Sequence, residues 1–325
     1  MAPFAELSPD CILNALDSAG FRCDGRLLAL NSYENRVYQV GMEDGPMAVA
    51  KFYRPERWSD AAILEEHAFM QELADEELPA VPALADAHGA TLHHFEGFRF
   101  AVFPRQGGYA PEFADGETLE RMGRLLGRLH AVGALRPYLH RPALDIASFG
   151  EEPRDYLLSQ GLIPEGLREA YTAAVEQALQ GIRRCFDRAG DVATLRLHGD
   201  CYAGNVLWAG DGPHLVDFDD SRMGPAVQDL WMLVSGDREE MNLRWSYLLA
   251  GYETFVDFDP RELNLVEALR TLRLIHYAAW LARRWDDPAF PAAFPWFGSP
   301  RYWQERIEEL REQVAAMDEP RPEYL

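Results

Sequence analysis

Short runs in which apolar and polar residues alternate come first along the chain, and longer runs with apolar residues every three or four positions follow. Residues 36–40 alternate as a strand does, residues 41–46 carry the glycines and proline of a turn, and residues 47–53 return, which predicts a hairpin ending near Lys51. After Pro55 the period changes: Ile63, Leu64, His67, Met70 and Leu73 predict a helix over 60–74. Two more strands are predicted over 90–94 and 98–103, and then Pro104-Arg105-Gln106-Gly107-Gly108 breaks the pattern. From Gly116 the pattern is helical. Met122, Leu125, Leu126, Leu129 and Val132 make one stripe, and the ranges 171–188, 263–284 and 301–317 make others. One β interruption stands in this second part, where strands over 206–208 and 214–216 flank a turn centred on Asp211.

These elements predict an α+β chain in two lobes: a small β-rich lobe over 1–103, a linker over 104–108, and a larger helical lobe over 109–325. The length of 325 residues fits two lobes better than one core. No apolar run approaches the ~20 residues of a membrane span, and the N-terminus lacks the basic-then-apolar pattern of a secretory leader, so a cytoplasmic location is expected. Four scattered cysteines form no CxxC pair, which argues for reduced thiols over zinc or a disulfide framework. A net charge of −22 repels nucleic acid and anionic lipid, so neither nucleic acid nor membrane is an expected partner.

Chemistry concentrates in LHGDCYAGNVLWAGDGPHLVDFDD, residues 197–220. Folding the predicted hairpin about Asp211 brings Asn205 and Asp217 together at its open end. An amide oxygen and a carboxylate there form a hard-oxygen pair suited to Mg²⁺, with phosphates and water completing the shell. Asp200, five residues before Asn205, can take a proton from an attacking hydroxyl, a contribution of typically ~10²–10⁴ in rate. With Lys51 on a strand, these are the parts of phosphoryl transfer. Lys51 stands beside Val49 and Phe52, and a lysine buried there needs an anion.

The motif His198-Gly199-Asp200, four residues, Asn205, then Asp217-Phe218-Asp219 resembles the aminoglycoside phosphotransferase and choline kinase superfamily, whose fold is protein-kinase-like. LNSYENRVYQV, VAKFYRPERW, ILEEH, FAVFP, LHGDCYAGNVLW and QDLWML together resemble the bacterial stress response kinase family over residues 28–235. That resemblance implies an ATP- and Mg²⁺-dependent serine/threonine protein kinase acting on a protein substrate. It makes Asp200 and Asp217 catalytic, with Asp200 the base, and gives Mg²⁺ to Asn205 and Asp217. It further implies an ATP contact at Ser32, phosphate contact by Lys51 with Glu66 rather than Glu65 as its partner, and a hinge over 103–106 bringing Phe103 and Arg105 to the nucleotide.

The loop over 29–35 lacks the glycines of the protein-kinase phosphate loop, and Tyr202 stands where the superfamily often has histidine. Asp229 is expected to brace the catalytic loop, His198 to fix it, and His130 to be a core histidine. Asp219 is either a second metal-side carboxylate or a cap. The tryptophans 280, 285, 296 and 303 are expected to pack the helical lobe. A monomer is expected. Two rival readings use the same parts: a small-molecule kinase for an aminoglycoside, choline or homoserine, and a nucleotide-binding protein without turnover.

Overall fold

The computed structural model describes residues 3–210 and 212–323, so the turn expected at Asp211 lies outside the described residues. The chain forms two compact units. The first holds the residues up to Glu112 together with Tyr138–Arg141 and Tyr202–Ser221; the second holds Phe113–Pro137, Pro142–Cys201 and the residues from Arg222 onward.

In the first unit α1 (Pro9–Ser18) is followed by β1 (Cys23–Ala29), β2 (Arg36–Met42), β3 (Ala48–Phe52), α2 (Asp60–Asp75), β4 (His93–Phe95) and β5 (Phe98–Pro104). Among the described residues the strands form an antiparallel sheet in the order β1-β2-β3-β5-β4. Strand alternation decides which side chains go where. Ala48, Ala50 and Phe52 of β3 join Phe98, Phe100 and Val102 of β5 in a core closed by Ile12, Ala15 and Leu16 of α1. Lys51 points to the other face, where Ala101, Tyr53 and Ile63 of α2 form a second core. Both helices have serine caps: Ser8 accepts the Cys11 N–H and Ser59 the Ala62 N–H. Of the apolar stripe expected on α2, Ile63, His67, Met70 and Leu73 are buried, whereas Leu64 is exposed and Glu66 is buried in its place.

The strand expected over 90–94 begins only at His93. Asp86 Oδ1 accepts the N–H groups of His88 and Ala90, a local turn that takes this backbone out of the ladder. The hairpin Val206–Ala209 with Gly212–Leu215 belongs to the first unit, where Leu215 N–H donates to Pro79 O and Tyr109 pairs with Trp208.

The second unit is built from helices α3 (Gly116–Gly133), α4 (Glu152–Ser159) and α5 (Glu165–Ala189), with later helices at Arg238–Tyr252, Val266–Arg283 and Pro300–Asp318. The stripe expected over 263–284 is a 3₁₀ turn, Pro260–Leu265, running into the helix proper. Helix Arg238–Tyr252 is not announced by periodicity, because its buried residues lie only in its second half, but an Asp237/Glu240 capping box marks its start. It lies against α3 at glycines. A Cβ on Gly123 would stand 2.0 Å from Leu248 O, one on Gly127 2.6 Å from Tyr252 O, and one on Gly251 2.0 Å from Glu120 O. Three of the four tryptophans pack this unit as expected, Trp303 fully buried and Trp280 and Trp285 against Phe290 and Phe297, whereas Trp296 is exposed beside Phe294 and Tyr302. Among the described residues no helix is long and apolar enough to cross a membrane.

Candidate active site

Lys51 sits mid-strand on the α2 side of the sheet, paired across the backbone with Val37 and Ala101. Its Nζ lies 3.0 Å from Asp219 Oδ1, 3.1 Å from Asp217 Oδ1 and 3.7 Å from Glu66 Oε1. Burial alone would lower the pKa of this ammonium, but Asp219, Asp217 and Glu66 outweigh it and hold Lys51 firmly charged. Glu66 is therefore the helix partner. Glu65, one residue earlier on α2, points elsewhere and accepts the N–H groups of Leu139, His140 and Arg141.

Two arginines that sequence patterns do not single out complete the cluster. Arg141 is buried and donates to Glu66 Oε2 at 2.6 Å and to the backbone oxygens of Asp219 and Ser221. Arg57 pairs with Asp219 and with Asp220. Burial raises the Asp219 carboxyl, yet Arg57 and Lys51 bring it down to about 2, so it stays ionised. Asp219 is thus a buried counter-ion of Lys51 and Arg57. Glu66 moves the other way, raised by burial more than Lys51 and Arg141 lower it.

The hairpin register differs from the one expected. Val206 pairs with Leu215, Leu207 with His214, Trp208 with Pro213 and Ala209 with Gly212. The Val216 N–H then donates to Asn205 O, so Asn205 stands opposite Val216 and Asp217 lies one residue further on. A one-residue shift would point Asp217 to the wrong side. The chain compensates locally, because Asp217 adopts a left-handed backbone with φ 61° and ψ 66°, which aspartate tolerates better than most residues. Its carboxylate stays half exposed while Phe218 and Asp219 turn inward, Phe218 against Phe69.

Asn205 closes a 3₁₀ turn, Ala203–Asn205, and is buried. Among the described residues no group of three His, Cys, Asp or Glu side chains is placed to hold a metal ion. The donor set of one amide oxygen and one carboxylate is that of a hard cation completed by phosphate oxygens and water. Asn205 and Asp217 fit Mg²⁺ on those chemical grounds.

Asp200 stands in the second unit on a loop fixed from behind. Asp229 accepts the N–H of His198 at 2.7 Å and of Gly199 at 2.8 Å, and receives His130 Nε2 at 3.1 Å. A carboxylate only accepts, so Nε2 carries that proton and His130 Nδ1 takes the Tyr252 hydroxyl at 2.9 Å. Burial raises the Asp229 carboxyl, but the hydrogen bond from His130, aided by the Gly199 N–H, holds it below the usual range. The expected bracing role of Asp229 and the core role of His130 follow directly. His198 Nδ1 accepts the Asp200 N–H, and Gly199 at φ 89° supplies a backbone angle that disfavours side chains. Asp200 Oδ1 itself accepts from Arg273.

The remaining expected nucleotide contacts are spread out. The Ser32 hydroxyl donates to Asn35 O, closing its own loop. Phe103 still belongs to β5, opposite Val49, with its ring edge-on to His67. Arg105 is exposed and donates to Gln39 Oε1.

Residues 26–266 match the phosphotransferase enzyme family. Stress response kinase A of Salmonella choleraesuis is 46% identical over 317 residues, 98% of this chain and 95% of its own length. The serine/threonine protein kinase RdoA of Salmonella typhimurium is 46% identical with the same coverage. Among solved structures, amicoumacin kinase hAmiN in complex with AMP-PNP, Ca²⁺ and Ami superposes with a TM-score of 0.70 at 17% identity, over 90% of this chain and 92% of that one. Spectinomycin phosphotransferase in complex with ADP and spectinomycin gives 0.66 at 13% identity, over 94% and 97%. The fold is that of the aminoglycoside phosphotransferases and choline kinases, and the chain belongs to the phosphotransferase enzyme family.

Proposed function

We propose that this chain transfers the γ-phosphoryl group of ATP to a serine or threonine hydroxyl of a protein, in the cytoplasm and as a monomer. The observation that carries this reading is Lys51: a buried ammonium held charged on a rigid strand by Glu66, Asp217 and Asp219. Such a cation positions phosphates without moving, which is most of what phosphoryl transfer asks of a protein. The protein acceptor is supported by the relatives at 45–46% identity, one of which carries the name serine/threonine protein kinase. The solved small-molecule kinases are under 25% identical and speak for the fold alone.

In this reading Lys51 holds the α and β phosphates and Glu66 orients Lys51. Asn205 and Asp217 would hold Mg²⁺, which when bound neutralises charge on the phosphates. Asp200 orients the acceptor hydroxyl and takes its proton. The Asp229 carboxylate keeps the loop backbone under Asp200 from drifting. Ser32, Phe103 and Arg105 line the nucleotide end, and the first unit carries the nucleotide.

The test is label transfer from Mg²⁺-ATP to a generic protein and to a panel of amino alcohols, with wild type beside Asp200→Asn. We expect label on protein, and a loss on the order of 10²–10⁴ in Asp200→Asn. Label confined to an amino alcohol would replace the protein acceptor with a small molecule. Full ATP turnover in Asp200→Asn would remove Asp200 from the chemistry.

A further inference from the structure

Arg273 Nη1 lies 2.5 Å from Asp200 Oδ1, so an arginine grips the carboxylate assigned above as the base. Arg273 stands on helix Val266–Arg283 with its side chain 43% exposed, while that of Asp200 is 22% exposed. On a 3.6-residue repeat, Arg270, Arg273, Tyr277, Trp280 and Arg284 fall on one side of that helix and its end, and each is partly exposed. The Arg270 guanidinium sits 4.9 Å over the Trp231 ring and also bonds Glu267. Tyr277 and Trp280 stack with 5.6 Å between centroids, and Arg284 lies 5.1 Å over Trp280. Three guanidiniums interleaved with aromatic rings thus run along this side of the helix, Arg270 paired with Glu267 and Arg273 with Asp200.

Any hydroxyl delivering its proton to Asp200 must come within hydrogen-bond reach of it. Its chemical neighbours then arrive beside a guanidinium already bonded to the same carboxylate. Arg273 uses one N–H on Asp200, and guanidinium has five in a rigid fork, which suits a second, planar anion. A polycation arriving there meets a carboxylate already paired with Arg273, and the Arg273 guanidinium beside it.

We propose that Arg273 selects acceptor segments in which the serine or threonine is flanked by acidic side chains, and disfavours cationic acceptors. This rests on Asp200 being the base.

The test uses three peptides with one central serine and flanks of Glu, Ala or Lys, each assayed for kcat/KM with wild type, Arg273→Gln, Arg273→Lys and Arg273→Glu. Thermal melts of each variant establish that it is folded. Wild type should favour the acidic over the basic peptide by at least tenfold. Arg273→Gln should reduce that ratio about tenfold, Arg273→Lys should keep most of it, and Arg273→Glu should invert it. A purely structural role would lower all three peptides together and leave the ratio intact. Equal or basic-preferring activity in wild type, or an unchanged ratio in Arg273→Gln, overturns the proposal. If Asp200→Asn abolishes turnover while Arg273→Gln keeps its flank preference, only the Arg273 assignment falls. Label that reaches amino alcohols and none of the peptides removes the protein acceptor and this proposal together.

Discussion

Arg141 donates to Glu66 Oε2 at 2.6 Å with both side chains almost wholly buried, so the glutamate that faces Lys51 is held from two sides. Removing Arg141 leaves Lys51 alone to offset the lost hydration of Glu66 and takes a donor from the Asp219 and Ser221 backbone oxygens. Arg141→Ala is therefore expected to cost about 3–5 kcal/mol, read as a lower urea midpoint at an unchanged slope. Arg141→Lys should recover only part of this, since one ammonium does not reproduce the donors to Glu66 and to the Asp219 and Ser221 backbone oxygens.

Adjacent glutamates on α2 should behave differently. Glu66→Gln is expected to raise the KM for ATP severalfold, because Lys51 loses a buried counter-charge. Glu65→Gln should lower stability by roughly 1–2 kcal/mol through weaker bonds to the 139–141 backbone, with KM for ATP near wild type. Steady-state kinetics on both variants separates the two, and equal KM effects would contradict this division.

Asp229→Asn tests how much of the loop's placement comes from behind it. The amide keeps the shape but loses the charge that His198, Gly199 and His130 share. A displacement of the loop by about 1 Å is expected to lower kcat roughly 10²-fold, with a smaller change in KM for ATP and a native circular dichroism spectrum.

The sequence made much of this legible, and where it failed the reason is local. Lys51 was readable because it is a lone charge among apolar neighbours, Val49 and Phe52, on a strand that packs on both faces. The placement of Asp200 on a loop and of Asn205 and Asp217 at the open end of the hairpin was readable because spacing along a loop and a hairpin survives without knowledge of the register. The register itself was not: a single residue at the turn moves every pairing, and the left-handed angle at Asp217 that corrects for it leaves no pattern in the sequence. Arg57 and Arg141 lie outside regular elements, where a buried arginine looks like any surface one. Neither could be chosen before Asp219 and Glu66 were seen to need them.

A pH effect is expected from Glu262. Its carboxyl is buried and accepts the Val227 N–H at 2.8 Å, and burial pushes it up from 4.5 to about 7. An acid whose folded pKa is raised adds stability that is complete below pH 4.5 and is lost as pH rises through about 7. Glu262→Gln keeps an acceptor for Val227 without titrating. It should flatten stability between those values and gain roughly 2–3 kcal/mol at pH 8, measured as melting temperature against pH. A variant whose profile parallels wild type would contradict this.

The glycine contacts between α3 and helix Arg238–Tyr252 reach further than helix packing. Gly127 sits against the carbonyl of Tyr252, whose hydroxyl holds His130, which holds Asp229, which holds the loop of Asp200. The aim of the carboxylate proposed as the base is thus inherited from how closely two distant backbones can touch. A single methyl at Gly127, with no polar atom altered, is expected to push on the Tyr252 backbone and through it on the loop of Asp200.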